Sequence, residues 1–471
     1  MAKFSIENFG CRATDADASA LRKGLLAQGL TAVREHSGAD VVVLNTCTVT
    51  AAADSQAREA VRKIHRSNPA ARIVLTGCYA QRAPEELARL EGVAWVIGNS
   101  HQSEIPGLLG GVFSSGELSQ SRAADFLPLA NLRDDSMSLA RGPAKILTGD
   151  IFAQTPAMEM QSVSGAPIES DRTRPILKIQ DGCNNRCSYC VIPFVRGSSR
   201  SLPPDAVVEE VRALAAAGAR EIVVSGINLG AYGRDLSPRT DLVSVVRRIL
   251  HETGLEQLRF SSIEPQDVTE DFISLVASSD RIARHFHIPL QSGSDLILRA
   301  MHRWYRTAHY AERVRLIRRV LPDAAIGADV IVGFPGETGE NFQITVDFIE
   351  RLPFTYLHVF SFSERPGTGA EKLGERVSHE VIRERARKLR TLSLAKSAAF
   401  RASQTGHTMR ALTLARTGES WTEALTGNYQ KVRIAGRLAA NGWYEVSVTA
   451  DPSATLPARP LQAILAETNH S

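Results

Sequence analysis

The sequence predicts an α/β protein in three parts: a parallel α/β domain, a partial (β/α) barrel of six units, and a small all-β module. Three observations carry this. Short buried strands alternate with helical stretches over roughly the first 110 residues. The same rhythm resumes at Pro175 and yields six strands, fewer than the eight of a full barrel. After residue 402 the helical pattern stops, and short strands with turns follow.

Bulk properties fit this picture. The chain has 471 residues, 43% apolar and 23% charged, enough for several domains of ordinary composition. No run of eighteen apolar residues appears, so no membrane span is expected. The start "MAKFSIENFGCRATDADAS" lacks the basic head and apolar core of a signal peptide, and a cytoplasmic location is expected. A net charge of +4 permits a polyanionic partner without requiring one.

Residues 1–112 form the first unit. Its strands are "KFSIENFG", "ADVVVLNTC", "ARIVLTGC" and "VAWVIGN", with helices over 54–66 and 84–90. Residues 113–173 read as a linker or surface insertion, because "SSGELSQSRAADF" and "SVSGAPIESDRTRP" are rich in Ser, Gly and charge. Local order is expected near "AKILTGDIF". Residues 174–402 form the barrel, with strands in "ILKIQDG", "EIVVSGIN", "LRFSSIE", "HFHIPLQ", "AIGADVIVGF" and "YLHVFSF". Helices are expected over 204–217, 242–252, 308–320 and 340–351, and a long charged helix over 378–402 packs on the barrel. Residues 403–467 form the all-β module, from "TMRALTLAR", "SWTEALTGNYQKVRIAG" and "GWYEVSVTA".

The six cysteines fall into two sets of three. Cys11, Cys47 and Cys78 each end a strand of successive units, where open parallel sheets bind ligands. They are expected to share one site, although three separate buried thiols would give the same pattern. Cys183, Cys187 and Cys190 lie together in "DGCNNRCSYCVIP", and no fourth ligand lies nearby. Structural zinc usually takes four ligands. Three thiolates on a cubane iron–sulfur cluster leave one iron open to a small molecule.

The C-x3-C-x2-C spacing after the first barrel strand, with Tyr189 before the last cysteine, resembles the radical S-adenosylmethionine (SAM) superfamily. The stretches "NTCTVT", "GCYAQ", "DGCNNRCSYCVIPFVRG", "SGINLGAYG", "SSIEP", "HIPLQSGS", "DVIVGFPGET" and "FSERPGTGA" narrow the resemblance to its methylthiotransferases. It covers nearly the whole chain outside 113–173. It implies a radical-SAM barrel in the centre and a TRAM domain, an oligonucleotide-binding-like barrel, at the end. It also implies two [4Fe-4S] clusters, a radical-SAM cluster on Cys183, Cys187 and Cys190 and an auxiliary one on Cys11, Cys47 and Cys78. Two SAM molecules are used: one gives a methyl group to sulfur, and the other gives the radical that removes hydrogen from an unactivated carbon. The cofactors carry that chemistry, so no catalytic residue is expected beyond the cluster ligands. An electron donor of flavodoxin or ferredoxin type and a sulfur source are implied partners.

"NTCTVTAAADSQAR" and "RFSSIEP" resemble the branch that modifies N6-threonylcarbamoyladenosine at tRNA position 37, so the anticodon stem-loop is the expected macromolecular partner. Members acting on N6-isopentenyladenosine or on a ribosomal-protein aspartate are alternatives. A structural-metal RNA-binding protein is the alternative outside enzymes. The resemblance places Tyr189, Gly226, Asn228, Glu264, Gln291 and Ser292 near SAM. Arg196, Arg200, Trp421, Tyr429, Lys431 and Arg433 are candidate RNA contacts, by charge or by stacking on bases. Ion pairs, barrel core and solvated charge explain the same residues. His285 and His287 have the spacing of a metal pair on a strand, which alternation alone also produces. "GFPGET" lacks the Lys of a phosphate loop. Trp304, Phe362 and Glu364 depart from the family pattern.

Overall fold

The structure is a computed structural model that describes residues 1–114, 144–153, 173–449 and 461–465. Most of "SSGELSQSRAADF" and of "SVSGAPIESDRTRP" lies outside the described residues.

The first unit is a six-stranded parallel sheet. Its strands are β1 (Lys3–Asn8), β2 (Thr31–Ala32), β3 (Val41–Thr46), β4 (Arg72–Gly77), β5 (Val93–Gly98) and β6 (Lys145–Leu147), in the order β2-β1-β3-β4-β5-β6. Helices α1 (Arg12–Ala27), α2 (Ala51–Ser67), α3 (Cys78–Arg82), α4 (Pro84–Ala88) and α5 (Ile105–Ser114) connect and cover them. β3 reads "VVVLNT" and is buried on both faces, as a central parallel strand must be. Val42 and Leu44 pack on Val61 and Ile64 of α2, while Val41 and Val43 pack on Leu21 and Leu25 of α1. The Thr50 side chain starts α2 by accepting from the Ala53 N–H. The order expected near "AKILTGDIF" is β6. This part of the expected linker belongs to the sheet, because Ala144, Ile146, Leu147 and Ile151 are all buried.

The central unit contains β7 (Ile176–Asp181), β8 (Arg200–Ser201), β9 (Glu221–Gly226), β10 (Gln257–Phe260), β11 (His285–His287), β12 (Ala325–Val332) and β13 (Tyr356–Ser361). One sheet runs β10-β9-β7-β8 and a second runs β11-β12-β13. Parallel bridges Leu258–Ile282 and Ser262–His287 join them, so six parallel strands curve into an open barrel. Short β8 is antiparallel to β7. Helices α6 (Ile192–Arg196), α7 (Pro204–Ala216), α8 (Leu242–Glu252), α9 (Glu270–Ala277), α10 (Asp295–Ala300), α11 (Thr307–Val320) and α12 (Gly339–Arg351) follow the strands. Helix α13 (His379–Ala402) runs along β13, where Ser393 Oγ accepts from the Leu357 N–H at 2.8 Å and so covers an edge strand.

The last unit is a closed five-stranded barrel of β14 (Thr408–Thr417), β15 (Trp421–Thr426), β16 (Lys431–Ala435), β17 (Trp443–Thr449) and β18 (Leu461–Leu465). Its β15–β16 turn docks against the central barrel. There the Arg259 guanidinium donates to the carbonyls of Thr426 and Gly427, each at 3.1 Å. Among the described residues no helix is long and apolar enough to cross a membrane.

Candidate active site

Cys11, Cys47 and Cys78 follow β1, β3 and β4, which are neighbours in the sheet. Their loops are tight. A Cβ on Gly10 would lie 2.6 Å from Cys47 Cβ, and one on Gly77 would collide with the Thr46 carbonyl. Gly10, Gly77 and Gly182, each directly before a cysteine, have φ of 126°, 94° and 69°, a region favouring glycine. Burial pushes the Cys47 thiol up to about 12, with Cys78 and Cys11 adding to it. Cys78 is likewise raised by burial, while Arg196 beside it opposes. Thiols are the soft donors that hold iron–sulfur clusters, and these three stand at the ends of neighbouring strands, a donor set that fits such a group.

The second trio caps β7. The Asn185 N–H reaches Cys183 Sγ at 3.4 Å, Cys187 Sγ accepts from Arg303 Nη1 at 3.3 Å, and the Cys190 N–H donates to the Cys187 carbonyl at 3.1 Å. Burial pushes the Cys190 thiol up to about 12, with Cys187 and Cys183 adding. Ser188 pins the loop to the end of α10, through the carbonyls of Met301 at 3.1 Å and Ala300 at 2.8 Å.

The elements that carry the two trios pack on each other. Helix α6, just after Cys190, packs on α3, and Cys78 shares an apolar cluster with Val191 and Val195. Asn99 bridges the same place, donating to the Val195 carbonyl at 2.7 Å and to Cys78 Sγ at 3.5 Å.

The residues expected near SAM separate into two groups. Tyr189 sits edge-on to Phe334 at 6.5 Å in the second cysteine loop. Gly226 ends β9, where a Cβ would lie 2.9 Å from Gln180 Oε1. The Asn228 N–H donates to that same oxygen at 2.8 Å. Asn228 Oδ1 and nearby Ser261 Oγ are buried without a hydrogen-bond partner, as atoms that meet a polar ligand would be. Glu264 is ion-paired to Arg303, which also holds Cys187. Gln291 has φ 62° and donates its N–H to the Asp329 carbonyl at 2.8 Å. Ser292 is fully buried, and its hydroxyl meets Thr345 Oγ1 of α12 at 3.2 Å. Arg303 and Ser261 were missed, the first because its partners lie far off in sequence, the second because serine is ordinary at a strand end.

Three of the expected RNA contacts have partners within the protein. Arg196 is 2% exposed and joins Asp17 of α1 at 2.7 Å to Asp181 of β7 at 3.0 Å. Lys178 pairs with both of these carboxylates. Arg200 pairs with Asp181 at 3.3 Å. Tyr429 stacks on His285 of the central barrel at 4.3 Å. Trp421, Lys431 and Arg433 remain together on the C-terminal barrel. The Arg433 guanidinium lies 4.2 Å from the Trp421 ring centre, and Lys431 pairs with Glu423 while more than half exposed.

His285 and His287 do not form a pair of their own, since both meet the Tyr356 hydroxyl, at 2.8 and 2.9 Å. His287, Asp329 and His358 instead group on adjacent strands, their polar atoms within 4.8 Å of one another.

Residues 3–98 match a family described as an uncharacterized protein family, UPF0004, and residues 177–349 match the radical SAM superfamily. The chain is 35% identical to the threonylcarbamoyladenosine tRNA methylthiotransferase MtaB of Aquifex aeolicus, over 92% of this chain and 97% of that one. It is 34% identical to MtaB of Bacillus subtilis, over 83% and 80%. It is 33% identical to the tRNA-2-methylthio-N(6)-dimethylallyladenosine synthase of Syntrophobacter fumaroxidans, over 91% and 88%. Among solved structures, the radical SAM methyltransferase TsrM of Kitasatospora setae shares the fold, with a TM-score of 0.52, 18% identity, and 79% of this chain and 77% of that one covered.

Proposed function

The chain belongs to the radical SAM methylthiotransferases, a family of enzymes, and from that premise we propose that it inserts a methylthio group at carbon 2 of N6-threonylcarbamoyladenosine at position 37 of tRNA. The observation that carries this reading is the packing of α6, which follows one cysteine trio, on α3, which begins at Cys78 of the other, because the reaction needs sulfur delivery beside radical formation. Cys183, Cys187 and Cys190 hold one [4Fe-4S] cluster in this reading, and Cys11, Cys47 and Cys78 hold a second. The clusters, when bound, supply the electron that cleaves one SAM and the anchor for the sulfur methylated by another.

The chain's own residues position and insulate. Arg303 fixes Cys187 against Glu264. Asn228 and Ser261 offer buried oxygens to SAM. Arg196 places a buried cation beside Cys78 and Cys11, offsetting thiolate charge. Trp421, Arg433 and Lys431 offer a cation–aromatic surface to the tRNA anticodon stem-loop. The reading implies a flavodoxin or ferredoxin as electron donor, a sulfur source, and the cytoplasm as the compartment.

The name of the Syntrophobacter relative favours a second reading, with N6-isopentenyladenosine as substrate. One experiment separates them: anaerobic incubation of the reconstituted chain with tRNA lacking the methylthio group, followed by nucleoside mass spectrometry. The expected product is 2-methylthio-N6-threonylcarbamoyladenosine. Methylthiolated isopentenyladenosine moves the substrate, and no new nucleoside despite SAM cleavage refutes the tRNA reading.

A further inference from the structure

The inner face of the central barrel carries a polar group that the cysteine chemistry does not use. Strand alternation sets it: Phe286, Ala328, Val330 and Leu357 join the outer core, which turns His287, Asp329, Tyr356, His358 and Phe360 to the lumen. Asp329 Oδ1 accepts from His287 Nε2 at 2.9 Å and from His358 Nδ1 at 3.2 Å. Burial opposes ionisation of this carboxyl, but the two imidazole hydrogen bonds outweigh it and hold Asp329 well below the usual range. Its charge is therefore already engaged.

His358 is different from its neighbours. It is 55% exposed although it lies on the inner face. Among the described residues its Nε2 has no hydrogen-bond partner. Phe360, two residues on, is 44% exposed on the same face, its ring edge-on to His358 at 6.5 Å. Arg12, the first residue of α1, reaches the end of β10 from the first unit. Its Nη1 donates to the Phe260 carbonyl at 3.4 Å, and its charge reaches Tyr356 and His285. This face thus carries the imidazoles of His285, His287 and His358, with Arg12 at its edge, while its carboxylates are already engaged, Asp329 by two imidazoles and nearby Glu264 by Arg303. Such a space stabilises an acidic, hydrogen-bonding group. A branched aliphatic group there would leave these polar atoms unpaired, which is costly.

We propose that Arg12 and His358 form the subsite for an acidic substituent on the substrate nucleobase, with the Phe360 ring beside the base and His358 determining specificity. This rests on the reading of the chain as a modifier of threonylcarbamoyladenosine and names the residues that would select it.

The test compares full-length, cluster-loaded wild type with His358→Phe and His358→Gln, on tRNAs bearing threonylcarbamoyladenosine or isopentenyladenosine. The measured quantity is the ratio of kcat/KM for the two tRNAs, with iron content and bound zinc determined for each protein. His358→Phe is expected to lower this ratio about tenfold or more, the scale of one lost hydrogen bond to a charged group. His358→Gln is expected to restore part of it, at equal iron content. Unchanged ratios in both variants, with wild type active on threonylcarbamoyladenosine, overturn the subsite alone. Wild type active only on isopentenyladenosine, or on neither tRNA, overturns the subsite together with the reading beneath it. Stoichiometric zinc in wild type that His358→Phe loses also overturns the subsite, by making His358 a metal ligand.

Discussion

Arg196 shows what a single residue can hide. Read in "VRGSSRS", it is an arginine free for phosphate, yet its partner Asp17 lies 179 residues earlier. Such a pair cannot be seen from local sequence. The cysteines are the opposite case, because their spacing and their places after strands are local facts, and both trios are legible in the sequence itself. Their roles separate by substitution. Cys187→Ala is expected to abolish SAM cleavage. Cys47→Ala is expected to keep cleavage, lose methylthio insertion, and lower iron from about eight to about four per chain. Methylthiolation by Cys47→Ala at the wild-type rate would refute an auxiliary cluster.

At the scale of elements, the strongest signals are buried aliphatic runs and the helix periods that follow them. The span Leu242–Glu252 matches its expected bounds, and the Asp241 side chain caps it by accepting from the Ser244 N–H at 2.7 Å. β6 is harder to read: three residues carry no periodicity, and only pairing with β5 makes them a strand. The turn that delivers Cys78 is more demanding. Gly77 has positive φ and no room for a side chain against Thr46. Gly77→Ala is therefore expected to misplace Cys78 and leave about four irons per chain, with the signal of the Cys183–Cys190 cluster retained in electron paramagnetic resonance. A full complement of iron in that variant would show that the loop tolerates the change.

For the whole molecule, joints matter more than parts. α1 lies against β7 and β9, with Asp17 in the Lys178–Arg196–Asp181 network. On the other side Arg365, beyond β13, donates to the Thr48 carbonyl at 3.3 Å and pairs with Asp54 at 2.6 Å. The third unit hangs on Arg259, which is fully buried and paired with Glu221 at 2.8 Å. Burial raises the Glu221 carboxyl, but Arg259 and Arg174 outweigh it and hold it below its ordinary 4.5. Its stabilising share is complete above that value and is lost as pH falls through the lower folded value. Glu221→Gln is thus expected to lower Tm at pH 7, and the gap to wild type to narrow below about pH 4.5 in calorimetry. A gap independent of pH would assign the loss to packing instead. None of these joints is legible in the sequence, because each pairs residues far apart along the chain.

The contact of α1 with β7 also bears on inheritance. One buried arginine is shared between a helix that begins at the first cysteine and a strand that ends at the fourth. The front unit is therefore not an exchangeable cartridge. A chimera that takes residues 1–112 from a relative must bring an acid at position 17, or the recipient barrel keeps a stranded charge where donor and host meet.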